Sequence, residues 1–270
     1  MFRKRDAEWA WLPLAEAAGM RGVVLKSHWW PTVHAVHYLA QLYRGPVAVW
    51  SSITLNPVAG GPELWAVESA ARLGARMVFL PTWGAAADLR AAGMSARLQG
   101  VFPSFDPRHI AGASFLDGDG ELTEQGRALL EFCAANDLTL ATGHVSWQES
   151  LAFAQEARRR DYRRLVFSHP LSSSVRAPLD AAQRTAALGA WVELCWTAVA
   201  PGRLTAAEAV SWIRQVGIEH VVLSTDRFRP ESPNPPELFA ELLGMLHDAG
   251  LGAAELQRMA AENPARALGV

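Results

Sequence analysis

The chain of 270 residues carries only two cysteines, Cys133 and Cys195. One falls in a helix-like run and the other in a strand-like run, which excludes a disulfide framework and points to buried, reduced thiols in a cytosolic protein. A surplus of one charge is also missing. The 25 Lys and Arg face 27 Asp and Glu, and the resulting −2 gives no electrostatic case for a nucleic-acid partner. No run is apolar for long enough to span a bilayer. The N-terminal residues, with Arg3, Lys4 and Arg5, lead into Ala7, Glu8 and Trp9 rather than into the apolar core of a signal peptide. The expectation is a soluble, cytoplasmic protein with neither membrane nor nucleic acid as partner. The basic run from Arg158 to Arg164 sits where a helix should end, and there cations suit the helix dipole. No Ser/Gly linker divides the sequence, so one domain over 1–270 is expected.

Half of the residues are hydrophobic, enough for a sizeable core. They fall into short apolar runs alternating with amphipathic ones. Strands are expected at 22–27, 47–55, 76–80, 138–142, 165–168, 191–195 and 220–224. Helices are expected at about 31–43, 62–73, 123–136, 146–160, 178–188, 204–216 and 235–249, from apolar spacing at three and four. This alternation implies a parallel sheet with right-handed crossovers, and seven repeats favour a (β/α)8 TIM-like barrel. Punctuation agrees: Asn234, Pro235 and Glu237 supply an N-cap, an N1 proline and an N3 acid, Thr123 caps another helix, and Gly250 is a stop. The chain opens with a helical pattern at about 6–18 where a barrel should open with a strand, so the barrel is incomplete at its N-terminal strand. A long segment, Pro81 to Leu122, is weakly periodic and is read as a functional loop or insertion.

Three strands end alike. Leu138–Thr142 runs into Gly143 and His144, Leu165–Ser168 into His169 and Pro170, and Val221–Ser224 into Thr225 and Asp226. Parallel barrel strands deliver their C-terminal ends to one rim, so these residues should converge despite separations of 25 and 57 positions. Two imidazoles and a carboxylate suit zinc or a similar divalent ion, with manganese as an alternative. Any one of them taken alone is better accounted for as a polar residue where a strand meets solvent; three on suitable strands favour a site.

Lys26 and His28 end another strand and alternate away from Ser27, so they share a side. They are candidates for binding a substrate carboxylate or phosphate, and His28 for supplementing the metal site; a lysine paired with a neighbouring acid is the plain alternative. His37 shares a helix face with Val33 and Ala40 and reads as a packed histidine. Glu193 interrupts an apolar strand and needs a partner or a role. Asn56, Thr82, Glu149 and Arg227 lie just beyond strand ends, where Asn56 and Arg227 are expected to touch substrate. Trp29, Trp30, Trp83 and Trp147 follow strand ends and could wall an apolar pocket.

Val24-Leu25-Lys26-Ser27-His28 with Pro31-Thr32, Ala141-Thr142-Gly143-His144 with Glu149, Ser168-His169-Pro170, Ser224-Thr225-Asp226, and the closing Glu262-Asn263-Pro264-Ala265-Arg266 resemble, in their order, barrel proteins of the amidohydrolase superfamily. The likeness runs from about residue 6 to the end. It implies one or two divalent metals, usually zinc, with His144 and His169 at the fifth and sixth strands of the full barrel as ligands. Asp226 at the eighth would be both ligand and proton acceptor. The His-x-His of the superfamily's first strand has no counterpart before Lys26, by trimming or misassignment of the start or by real loss. No lysine is evident at the end of the fourth strand, so a carbamylated-lysine bridge is not supported. The expected activity is metal-dependent hydrolysis of a C–N or C–O bond in a small carbonyl substrate. A metal-dependent decarboxylase and a non-catalytic degenerate barrel are the alternatives. A barrel lacking one strand leaves an edge that a second copy could cover, so a homo-oligomer is a further expectation.

Overall fold

Parallel strands bury both faces, so their sequences should be apolar with the two sets of side chains facing different cores. The computed structural model describes residues 8–100, 102, 104–226 and 233–270. Its strands are β1 Gly22–Val24, β2 Ala48–Thr54, β3 Ala75–Phe79, β4 Thr139–Ala141, β5 Leu165–Phe167, β6 Trp191–Cys195 and β7 Val221–Ser224. They pair in parallel in chain order, β1 to β7, as a seven-stranded incomplete (β/α)8 barrel. The helices are α1 Leu12–Ala17, α2 Val33–Leu42, α3 Leu64–Arg72, α4 Ala86–Arg90, α5 Met94–Gln99, α6 Glu124–Ala135, α7 Trp147–Arg159, α8 Leu179–Ala187, α9 Ala206–Val216, α10 Pro235–Asp248, α11 Ala253–Gln257 and α12 Asn263–Leu268. None is long and apolar enough to cross a membrane.

Every expected strand is present within a few residues, and so is each of the seven expected long helices. The caps are made as anticipated: the Thr123 hydroxyl accepts from Gly126 N and Asn234 Oδ1 from Glu237 N. Two readings change. The segment 81–122 holds α4 and α5, too short at five and six residues to show a helical period. On α2 the buried residues are Val33 and Leu39 rather than a Val33–Ala40 face, so His37 is exposed and its Nε2 meets the Gln41 side chain.

Strand alternation sorts side chains into layers. Met77, Phe79, Ala141, Val166 and Val222 point into the barrel with Val24, Trp50 and Trp191. Their neighbours Val78, Leu140 and Leu165 face α3, α6 and α7 outside. Each such buried aliphatic side chain stabilises the fold by about 1.5–3 kcal/mol. The C-terminus closes the floor. Ala267 and Leu268 of α12 join the interior cluster, Arg76 donates to the carbonyls of Leu268 and Gly269, and Thr139 Oγ1 donates to Ala267 O at 2.8 Å. The buried Asn263 side chain donates to Ile218 O and Val221 O. The closing motif is thus a structural plug, and the C-terminal rim of the strands is the end left for chemistry.

Candidate metal centre

To aim a side chain across the rim, the backbone must turn sharply as each strand stops. Gly143 does so at φ 59°, where an added Cβ would lie 2.3 Å from Leu80 O, so only glycine fits before His144. His169 and Asp226 make the same left-handed turn themselves, at φ 49° and 47°. For a residue with a Cβ this costs about 1–3 kcal/mol, and such strain is retained at sites that use it.

The turns bring the expected ligands together. The His144 and His169 rings stand 5.5 Å apart, edge to face, and Asp226 Oδ2 lies 3.9 Å from His169 Nε2. Lys26, one of only two lysines in the sequence, places its ammonium 3.2 Å from both His169 Nε2 and Asp226 Oδ1, and over the Phe79 ring. The ends of β1 and β7 therefore meet across the unfilled strand position. Asp226 forms an ion pair with the Lys26 ammonium at this point.

Behind each ligand histidine stands a carboxylate. Asp88, from α4, is fully buried; its Oδ1 accepts from His144 Nδ1 at 2.9 Å, from Ser174 Oγ at 2.5 Å and from Met94 N, and its Oδ2 accepts from Ser95 N. His169 Nδ1 lies 3.0 Å from Glu193 Oε2 and 3.2 Å from Cys195 Sγ, while Ser224 Oγ donates to Glu193 Oε1 at 2.7 Å. The His144 Nδ1–H held by Asp88 leaves that ring's Nε2 lone pair for an ion, whereas His169 Nδ1 hydrogen-bonds Cys195 Sγ with Glu193 as its ion-pair neighbour. By its chemistry, two imidazoles and a carboxylate, the set His144, His169 and Asp226 suits a divalent metal, with His169 the member that lies beside both others. Among the described residues, the one trio whose ligand atoms all lie within 4.8 Å of one another is His169, Glu193 and Cys195, not His144, His169 and Asp226. In that trio the imidazole offers its proton-bearing edge, and burial raises the Cys195 thiol above its ordinary value, so this trio serves better as support than as a cradle.

Charge follows the same geometry. Burial alone would raise Asp226, but Lys26 and His169 hold it well below the ordinary carboxylate range. Asp88 is likewise low, burial being outweighed by its bond to His144. Burial lowers His144 and His28; for His28 the Lys26 charge adds to it, and that imidazole is neutral at neutral pH. His169 goes the other way, since Asp226 and Glu193 outweigh its burial.

The remaining expected residues divide. His28 joins the site, within reach of the charges of Lys26, Asp226, His144 and His169. Asn56 is fully buried and spends its whole amide on protein: Nδ2 on His28 O and Thr82 Oγ1, Oδ1 on Thr82 N and Gly84 N. The amide has no capacity left for substrate. Arg227 lies outside the described residues. Glu149 closes a capping box with Ser146 at the start of α7 and accepts from Phe115 N, which accounts for its burial. Trp29 and Trp83 lie 5.9 Å apart with Phe102 and Phe105 against them, whereas Trp30 is exposed and Trp147 packs among the helices. Sequence reasoning missed Asp88 altogether: a lone aspartate inside an aperiodic segment carries no local sign of burial.

A seven-stranded parallel barrel with this rim defines the class: it has the fold of the amidohydrolase-type barrels. A Pseudomonas aeruginosa amidohydrolase aligns at TM-score 0.57 and 14% identity, over 98% of this chain and 85% of that one. The Escherichia coli TatD homologue YjjV aligns at 0.53 and 18%, over 97% and 92%. A Rhodobacter sphaeroides metallopeptidase, liganded with a phosphinate mimic of the dipeptide L-Ala-D-Ala, aligns at 0.53 and 17%, over 96% and 72%. No curated protein matches the chain. Its residues 1–193 match the model of a family of unknown function, DUF6282, and the chain belongs to that family.

Proposed function

We propose that the protein is a metal-dependent hydrolase that cleaves a C–N or C–O bond of a small carbonyl substrate. The observation that carries this reading is His169 standing beside both His144 and Asp226 at the rim, with Lys26 on His169 and Asp226, Asp88 on Nδ1 of His144, and Glu193 next to Nδ1 of His169. Zinc is the ion this nitrogen-rich set favours. When bound, the ion would acidify a water molecule and polarise the scissile carbonyl.

The chain's own residues do the rest. Asp88 fixes the His144 ring by a hydrogen bond, and Cys195 with the Glu193 charge holds that of His169, so little ordering remains to be done when an ion arrives. Asp226 stays ionised through its contacts with Lys26 and His169, and a carboxylate so held can take a proton from the attacking water and return it to the leaving group. Lys26 and His28 border the same space and orient the substrate. The amidohydrolase and metallopeptidase named among the similar structures support a hydrolytic reading of this fold.

Elemental analysis of purified wild type beside His144→Ala tests the metal part. Near-stoichiometric zinc, lost in the variant, is expected. A folded wild type that stays metal-free after incubation with zinc or manganese would overturn the proposal. With metal in place, a panel of small amides, dipeptides, esters and lactones should yield turnover that disappears in Asp226→Asn.

A further inference from the structure

The three histidines of the rim are not equivalent, and the hydrogen-bond chain behind His28 says how they differ. Asn56 Oδ1 accepts from two backbone amides, Thr82 N at 2.9 Å and Gly84 N at 3.2 Å, which settles the orientation of its amide. Its Nδ2 therefore donates, to His28 O at 3.0 Å and to Thr82 Oγ1 at 2.9 Å. Thr82 is fully buried, and its hydroxyl has a single proton to place. Among the described residues, the other partner of Oγ1 is His28 Nδ1, at 3.0 Å. Were Nδ1 protonated, two N–H groups would point at Oγ1 and its own proton would have no acceptor, which a buried site disfavours. The proton instead runs from Thr82 to His28 Nδ1. In the neutral ring, Nε2 then carries the N–H.

This polarity is opposite to that of His144, whose Nδ1 faces Asp88 and whose Nε2 lone pair is left for a cation. A ring carrying Nε2–H offers no lone pair there. Its backbone is pinned as well, because Trp83 Nε1 donates to the same His28 carbonyl as Asn56. We propose that His28 is a hydrogen-bond donor to the substrate oxygen that gains negative charge, and not a metal ligand, with Thr82 and Asn56 as the positioning residues that set its tautomer. A fixed donor of this kind needs no reorganisation as charge develops. The donor role towards substrate rests on the hydrolase reading; the tautomer does not.

Nitrogen-15 NMR of the histidine side chains in the metal-free full-length chain tests the tautomer directly. His28 is expected as Nε2–H, with His144 as Nδ1–H, and Thr82→Val should abolish the His28 preference. Zinc titration should shift Nε2 of His144 and His169 and leave the His28 nitrogens within their uncoordinated range. Zinc affinity should stay within about threefold in His28→Gln, which keeps an N–H, while falling more than tenfold in His144→Ala. As an oxyanion probe, inorganic phosphate added to the zinc-loaded chain should move the His28 Nε2–H resonance downfield, and His28→Phe should weaken phosphate binding at least about tenfold. An Nδ1–H tautomer at His28, or loss of zinc in His28→Gln, overturns the proposal. A wild type that takes up no zinc overturns the hydrolase reading and the substrate role with it, while the NMR still decides the tautomer.

Discussion

Replacing Asp88 by asparagine is the sharpest perturbation of this site, because it changes one atom and leaves the shape intact. The carboxylate accepts three hydrogen bonds on Oδ1 and one on Oδ2. Asparagine can keep its oxygen at the Oδ1 position, which turns its NH2 towards Ser95 N. That leaves a buried donor facing a donor, at about 1–3 kcal/mol. The bond to His144 also loses its charge assistance, about 1 kcal/mol more. The sum is about 3 kcal/mol, or a fall of roughly 5 °C in melting temperature for a domain of this size. A freed His144 ring should bind zinc about 10–100-fold more weakly, as follows when a ligand's outer partner is removed. Thermal unfolding of the metal-free variant and zinc titration by calorimetry read the two effects separately. A melting temperature within about 1 °C of wild type would refute the buried-network reasoning. Lost stability with unchanged zinc affinity would refute the role of Asp88 in presenting His144.

Other outcomes follow from the same geometry. Lys26→Met removes the ammonium that occupies the Asp226–His169 pair, so zinc affinity by titration should rise at least about tenfold, about 1.4 kcal/mol; an unchanged or lower affinity would show that Lys26 does not compete for these atoms. Gly143→Ala forces a Cβ against Leu80 O in a left-handed turn, and denaturant unfolding should register a loss of about 3 kcal/mol or more. Burial would raise Glu156, but its bonds to Arg160 and Arg159 lower it instead, so its contribution is complete above the ordinary glutamate value of about 4.3 and fades as pH falls below it. With partners this exposed, Glu156→Gln should cost about 0.5 kcal/mol at pH 7 and progressively less as the pH falls, and a gap that does not shrink in acid would contradict the sign.

Much of the architecture was legible without coordinates. Apolar periods of two and of 3.6 are local consequences of backbone geometry, so strands and long helices could be placed from residue order alone. Parallel winding then obliged the strand ends carrying His144, His169 and Asp226 to share a rim. Short elements escaped, since five residues of α4 do not complete two turns and show no period. The part played by Asn56 escaped too: its position beyond β2 pointed to substrate, yet whether an amide is free depends on every donor and acceptor around it. Asp88 is 56 residues from His144, and Thr82 is 54 from His28. The sequence by itself determined the alternation, the incomplete barrel and the ligand-bearing strand ends, because these follow from local preference and the handedness of crossovers. Only the tertiary structure decided which carboxylate stands behind which histidine and which ring nitrogen holds the proton, because a proton goes to whichever partners packing brings within about 3 Å.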